Sequence, residues 1–195
     1  DMGYALKNSK NRPKGTPVWI NRSVDKATYR EYMINKVLPA IVEKFPSSYL
    51  DKRNKKGVLI QQDGAKSHIR PDDPEWLEAV AATGKHIKLF CQPSSSPDTN
   101  INDLAYFRSI QSLYYHETPT DEWQLIAAVQ RAYDAYPVNK LNRMWLTHQT
   151  CMNETLEANG GNDYSIPHMY KEGLEKKNKL PVVLKVTEEA KKFDS

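Results

Sequence analysis

The spacing of apolar positions changes several times along this chain, and each change marks an element. Tyr29, Tyr32, Met33, Leu38, Ile41, Val42 and Phe45 recur at three- and four-residue steps, which predicts a helix. Pro39 falls inside it and predicts a kink, because proline lacks an N–H and its ring crowds the preceding turn. "GVLIQQ", Gly57 to Gln62, is a short continuous apolar run of the kind a buried strand uses. "DDPEWLEAVAATG" is punctuated as a helix, with Asp73 as cap, Pro74 at the first position and Gly84 at the stop. "HIKLFCQ", His86 to Gln92, reads as a second strand and "PSSSPDTN" as a loop. Helical spacing then predicts helices from about Ile101 to Tyr115, Thr120 to Tyr136, and Val138 to Ala158, the last closed by Gly160 and Gly161. "TPVWI", Thr16 to Ile20, is a short strand and 167–177 a short helix. Residues 1–15 are polar and basic and read as an arm or loop, "DKRNKK" as a solvated turn, and 182–195 as a charged tail. There is no internal repeat.

Strand, helix, strand, helix is the order of an α/β protein with neighbouring parallel strands. In such sheets, ligand-binding groups sit just beyond the carboxyl ends of the strands. Asp63, in "IQQDGAKSH", holds that place, and so does the loop after Gln92. Asp103 opens the helix that follows, with 39 residues between it and Asp63. Carboxylates gathered at one strand end suit a hard divalent cation, Mg²⁺ or Mn²⁺, which prefers oxygen ligands and assists phosphodiester chemistry. Aspartates at strand ends also serve as turn and cap residues, so the pattern alone leaves both roles open.

Composition narrows the picture only slightly. The 195 residues suit one domain, or one domain with an arm; 39% are hydrophobic, and 11 Tyr, 4 Trp and 4 Phe supply a packed core. The net charge of +4 and the isoelectric point near 8.9 permit contact with nucleic-acid phosphates without requiring it. Lys7, Lys10, Arg12 and Lys14 can meet a DNA backbone or form a solvated loop. Lys52, Lys55 and Lys56 read as a solvated turn. Cys91 and Cys151 lack metal-ligand spacing and read as reduced core residues, which fits an intracellular setting. His86, His116 and His148 have no zinc spacing. No apolar run reaches the ~18 residues of a membrane span, and no signal-peptide pattern is present. Trp123, Val129, Tyr133, Met144 and Trp145 sit at helical spacings and read as core, as do some of Tyr106, Phe107, Tyr114 and Tyr115.

The wording around the two aspartates carries more. "IQQDGAKSH" followed by "QPSSSPDTNINDLAYFRSIQSL" resembles the catalytic domain of Tc1/mariner-type DNA transposases, in particular the mariner-like group with 39 residues between its last two catalytic aspartates. "SKNRPKGTP", "INKVLPAIVEKFP" and "GGNDYSIPHMYKEGLE" look like the same group, so the resemblance runs from about residue 8 to about 181. It implies an RNase H-like fold, a mixed sheet flanked by helices, over 16–181. It implies Asp63 and Asp103 as the second and third catalytic aspartates, both ligating Mg²⁺ or Mn²⁺. His68 matches the family's histidine after the second aspartate, as a phosphate contact or a structural hydrogen-bonder. Asn100 and Asp98 belong to the loop leading into Asp103 and are expected to shape it.

The resemblance also implies metal-dependent DNA cleavage and strand transfer, transposon ends and target DNA as partners, a homodimer, and a nuclear location. The family's first catalytic aspartate lies on an opening strand upstream of "SKNRPKGTP", and neither Asp1 nor Asp25 matches it. The expectation is therefore a sheet lacking its first strands and an incomplete triad, as in a fragment or degenerate copy. Two other readings stand beside it: a domesticated, non-catalytic DNA- or protein-binding module, and a pure protein-interaction domain.

Overall fold

Backbone pairing begins within the polar N-terminal stretch. β1 (Met2–Tyr4) pairs antiparallel with β2 (Pro17–Trp19), with Gly3 opposite Val18. Residues 2–15, read as an arm or loop, thus supply β1 and the loop that connects it to β2. Its outer turns close through Ala5 N to Thr16 O and Gly15 N to Ala5 O, each 2.9 Å, while Ser9 and Arg12 bridge at the tip. Polarity hid the strand because both hairpin faces are largely solvated and β1 has no apolar run to announce it. In this computed structural model, residues 2–20, 23–51 and 57–191 are described, so the run Lys52, Lys55 and Lys56 lies outside them. The chain divides into two units, residues 1–91 and 92–195.

In the first unit, Asp25 caps α1 (Lys26–Tyr32) by accepting from Thr28 N at 2.8 Å. The expected disturbance at Pro39 takes the form of a widened turn. Residues Met33–Val37 are π-helical, and Leu38 N donates five residues back to Met33 O before α2 (Leu38–Lys44) resumes. Pro39 supplies no N–H to the turn before it, and the wider turn accommodates that loss. A short α3 (Ser47–Leu50) follows.

β3 (Val58–Gln62) and β4 (Ile87–Cys91) pair parallel, in register from Val58–Ile87 to Gln62–Cys91, with α4 (Pro74–Thr83) as the crossover. The α/β reading of this stretch is correct. Gly57 enters β3 with φ +55°, where an added Cβ would lie 2.9 Å from the His86 carbonyl oxygen. Gly84 ends α4 in the left-handed region, as its place in the sequence predicts. Met33, Leu38, Leu50, Ile69, Trp76, Val80, Ile87 and Leu89 form the core, with Trp76 only 1% exposed.

The second unit is helical. A 3₁₀ turn (Pro97–Thr99) leads into a π-helical segment (Asn102–Tyr106) and α5 (Phe107–Tyr115). α5 packs against α6 (Glu122–Asp134), whose buried face is Ala128 and Ala132, small residues that let the helices approach. α7 (Val138–Glu157) buries Met144, Leu146, His148, Thr150 and Cys151. Thr147, Thr150 and Thr155 each return a hydroxyl proton to the carbonyl four residues back, which lets polar residues line a packed helix. α8 (Lys171–Lys176) and α9 (Glu188–Lys191) complete it. The charged tail is tied along α7: Leu184 N donates to Gln149 Oε1 at 2.7 Å and Asn153 Nδ2 to Lys185 O at 3.2 Å.

Two expectations about the core need correction. Cys151 is fully buried, but Cys91 is exposed; both are free thiols. Cys91 closes β4 and emerges at the strand end. Trp123, Tyr133 and Trp145 are also about half exposed, whereas Met144 is buried. Helical spacing identified one face of each helix, but a stripe does not reveal how much of it a neighbour covers.

Asp73 joins two elements of the first unit. Its Oδ1 caps α4 by accepting from Trp76 N at 3.2 Å, and Arg30 donates to both its oxygens, Nε to Oδ1 at 3.0 Å and Nη2 to Oδ2 at 2.7 Å. The Arg30 bonds hold its pKa below the ordinary carboxylate value. A depressed folded-state pKa means the stabilisation is complete above the unfolded value and is lost as pH falls through the folded one. Wild-type stability should therefore fall below about pH 4 with a slope that Asp73→Asn reduces. At neutral pH the cap and pair lost in Asp73→Ala should cost about 2 kcal/mol by urea unfolding. An unchanged midpoint would show that the pair contributes little.

Candidate functional site

Asp63 follows the last residue of β3, in a turn built by its own side chain. Its Oδ1 accepts from Ala65 N at 2.9 Å and from His68 Nδ1 at 2.8 Å, and the His68 nitrogen lies 3.2 Å from the Asp63 carbonyl oxygen. Both partners of Nδ1 are acceptors, so Nδ1 carries the proton. That leaves Nε2 as the face His68 can offer to a ligand. The Asp63 side chain is 43% exposed, and the bonds to Ala65 and His68 both fall on Oδ1.

The turn is held from beneath by residues whose importance sequence spacing did not suggest. Gln62, 5% exposed, donates from Nε2 to Ile69 O at 2.5 Å and lies 3.4 Å from Cys91 Sγ. Tyr29, reaching over from α1, donates its hydroxyl to Gln62 Oε1 at 3.1 Å and stacks its ring on His68, with centroids 4.2 Å apart and planes inclined by 29°. The structure therefore brings Asp63 and His68 together on a platform of Tyr29 and Gln62. A polar side chain at the end of an otherwise apolar strand was the available signal for Gln62. Tyr29 gave none, because its partner lies 33 residues away.

Asp103 belongs to the second unit, in the first turn of the helix after the "SPDTN" loop. Asn100 caps that helix: its Oδ1 accepts from Asn102 N at 3.0 Å, and its Nδ2 donates to Asp103 Oδ2 at 2.9 Å. A carboxylate here is favoured by the exposed N–H groups of the first turn, which by itself gives Asp103 a structural role. The turn is π-helical, with Phe107 N donating to Asn102 O. Unlike the first such turn, it has no adjoining proline. The loop is anchored to α7 and beyond: His148 Nε2 donates to Thr99 O at 2.8 Å, and Asn162 Nδ2 to Ser95 O at 3.0 Å. Asp98 adds to the burial that raises the Cys151 thiol pKa and, with burial again the larger cause, that of Tyr164.

Lys7, Lys10, Arg12 and Lys14 are all exposed around the tip of the N-terminal hairpin, where Lys14 N donates to Asn8 Oδ1 at 2.6 Å. His168, whose role the sequence left open, accepts from Tyr170 N at 3.3 Å. Among the described residues, no three His, Cys, Asp or Glu side chains converge as a metal centre, and no helix is long and apolar enough to cross a membrane. No family model matches the chain, and neither do curated proteins or solved structures.

Burial raises the Tyr29 phenol pKa above its ordinary value, and the Asp63 charge adds to this. Nuclear magnetic resonance of ring-labelled tyrosine should find Tyr29 titrating above pH 10, and Asp63→Asn should bring it down part of the way. A Tyr29 resonance indifferent to Asp63→Asn would separate the ring from the carboxylate.

Proposed function

We propose that the chain is a transposase-derived domain of RNase H-like type. Its intact form would carry out metal-dependent DNA cleavage and strand transfer, with Asp63 and Asp103 as carboxylate ligands and His68 beside the phosphate. The observation that supports this most is Asp63 at the carboxyl end of a strand in a parallel β-α-β unit, exposed and oriented by His68. The π-helical turn at Asp103 adds to it, since such turns recur at functional positions.

Asp63 and Asp103 are each solvent-accessible carboxylates, the kind of oxygen donor a hard cation takes. A divalent cation held by carboxylates of this kind would neutralise charge at a phosphodiester. His68 contributes through Nε2, held outward by the Nδ1 bond to Asp63; Asn100 holds Asp103 in one orientation. A nucleus is the compartment this activity requires in a eukaryotic cell.

A second reading, a non-catalytic DNA-binding module, is favoured by the basic hairpin tip. Four cations on a two-stranded ribbon can follow a phosphate backbone without reading sequence.

Calorimetry with Mn²⁺ should show binding in the micromolar range that Asp63→Ala and Asp103→Ala each abolish. Absent or indifferent binding would remove the metal reading. Affinity for a short DNA duplex should fall with salt, and replacing Lys7, Lys10, Arg12 and Lys14 by Gln should flatten the log–log slope by about 2–4. An unchanged slope would remove the hairpin from the interface.

A further inference from the structure

The second unit contains a cavity of about 680 Å³ that plays no part in the carboxylate reading. Ser109 of α5, Arg143 and Thr147 of α7, His168 and Tyr170 from the segment leading into α8, and Lys171 at its first position line it. Its walls carry an imbalance of charge. Arg143 is engaged: Nε donates to Glu175 Oε2 at 2.9 Å, Nη2 pairs with the same oxygen, and Nη1 meets Glu172 Oε1 at 3.2 Å. Lys171 has no carboxylate partner. Its ammonium is partly buried near the Cys151 thiol and Arg143, and no hydrogen bond or ion pair holds it among the described residues. Lys176 adds a further cation to the lining. A partly desolvated ammonium without a carboxylate, next to a guanidinium already paired with two glutamates, is a place where an anion is missing.

The cavity also offers an aromatic surface. The His168 and Tyr170 rings meet edge to face with centroids 4.6 Å apart, and Tyr170 as a residue is 75% exposed. Tyr170 is held at φ +46°, a conformation an L-residue with a bulky side chain adopts only where its surroundings enforce it. The volume is in the range of small-molecule sites, about 300–1,000 Å³.

We propose that this cavity binds a nucleoside phosphate, with the phosphate against Lys171 and Lys176 and the base against the ring of Tyr170. The ligand is either a free nucleotide or a nucleotide of a single strand, since both present the same phosphate and base. Glu172 and Glu175 keep Arg143 in place and confine the uncompensated charge to the lysines. Neither Asp63 nor Asp103 lines the cavity, and the proposal does not depend on their role.

Calorimetry of the whole chain with AMP, adenosine, inorganic phosphate and a short oligothymidylate tests it. AMP should bind with a Kd of about 0.1–1 mM, and adenosine about tenfold more weakly or not at all. Lys171→Gln should weaken AMP about tenfold and Lys171→Arg should restore most of it. Tyr170→Leu should weaken AMP but not inorganic phosphate. Lys10→Gln, in the hairpin, should leave AMP binding unchanged. If Lys171→Gln fails to fold, Lys176→Gln, at an exposed position, reads the same charge. Oligothymidylate binding that Lys171→Gln weakens, without AMP binding, would identify a strand as the source of the nucleotide and still support the site. No binding of any of these at millimolar concentration overturns the proposal. So does adenosine binding as tightly as AMP, or affinities indifferent to both lysine substitutions.

Discussion

The first unit is organised around one buried amide. Gln62 is the last residue of β3, and nothing apolar could replace it without stranding two partners. Its Nε2 satisfies the Ile69 carbonyl and its Oε1 receives the Tyr29 hydroxyl, so one side chain ties strand, turn and helix together. A buried polar group left alone costs about 1–3 kcal/mol, so each member of such a set depends on the others being present. Asp63 inherits its position from this arrangement. Ile69, 1% exposed, closes the turn on the core side, while His68 stacks on the Tyr29 ring.

The second unit is built differently. Its helices are held by small residues on α6, by threonine hydroxyls that satisfy themselves on α7, and by a loop bonded to α7 through His148. Several large side chains remain at its surface, among them Trp123, Tyr133 and Trp145. The loop that carries Asn100 is thereby fixed by its neighbours rather than by a sheet. Asp103 is oriented locally by the amide that caps its own helix. The two aspartates are thus prepared by two unlike means, one by a buried platform and one by a capping amide.

Much of this was legible in the sequence where a local rule sufficed. Asp73, Pro74 and Gly84 delimit α4 because caps act within one turn, and the two apolar runs are parallel strands because the helix between them is long enough to cross over. Asn100 was recognisable as a residue that shapes its loop. What remained hidden involved distance or degeneracy. The Tyr29–Gln62 bond spans 33 residues, and no pattern announces it. The two π-helical turns were invisible because three- and four-residue spacing tolerates one extra residue per turn. Exposure of Trp123 and Trp145 was hidden because periodicity finds a face but not its neighbour. The strand in the basic N-terminal stretch was hidden because its pairing, and not its hydrophobicity, defines it.

The widened turn at Met33–Val37 carries a further implication for how this fold tolerates change in length. Each helical residue advances the side chains by about 100° around the axis, so one residue more or fewer in that turn sets the angle at which everything before it faces the rest of the unit. Tyr29 reaches Gln62, and Arg30 reaches Asp73, on the strength of that phase. A chain that lost one residue there would gain a more regular backbone and swing both side chains away from their partners. The irregular turn is thus a phase-setter, and exposed positions of the segment such as Glu31 and Lys36 can vary in composition far more readily than the segment can vary in length.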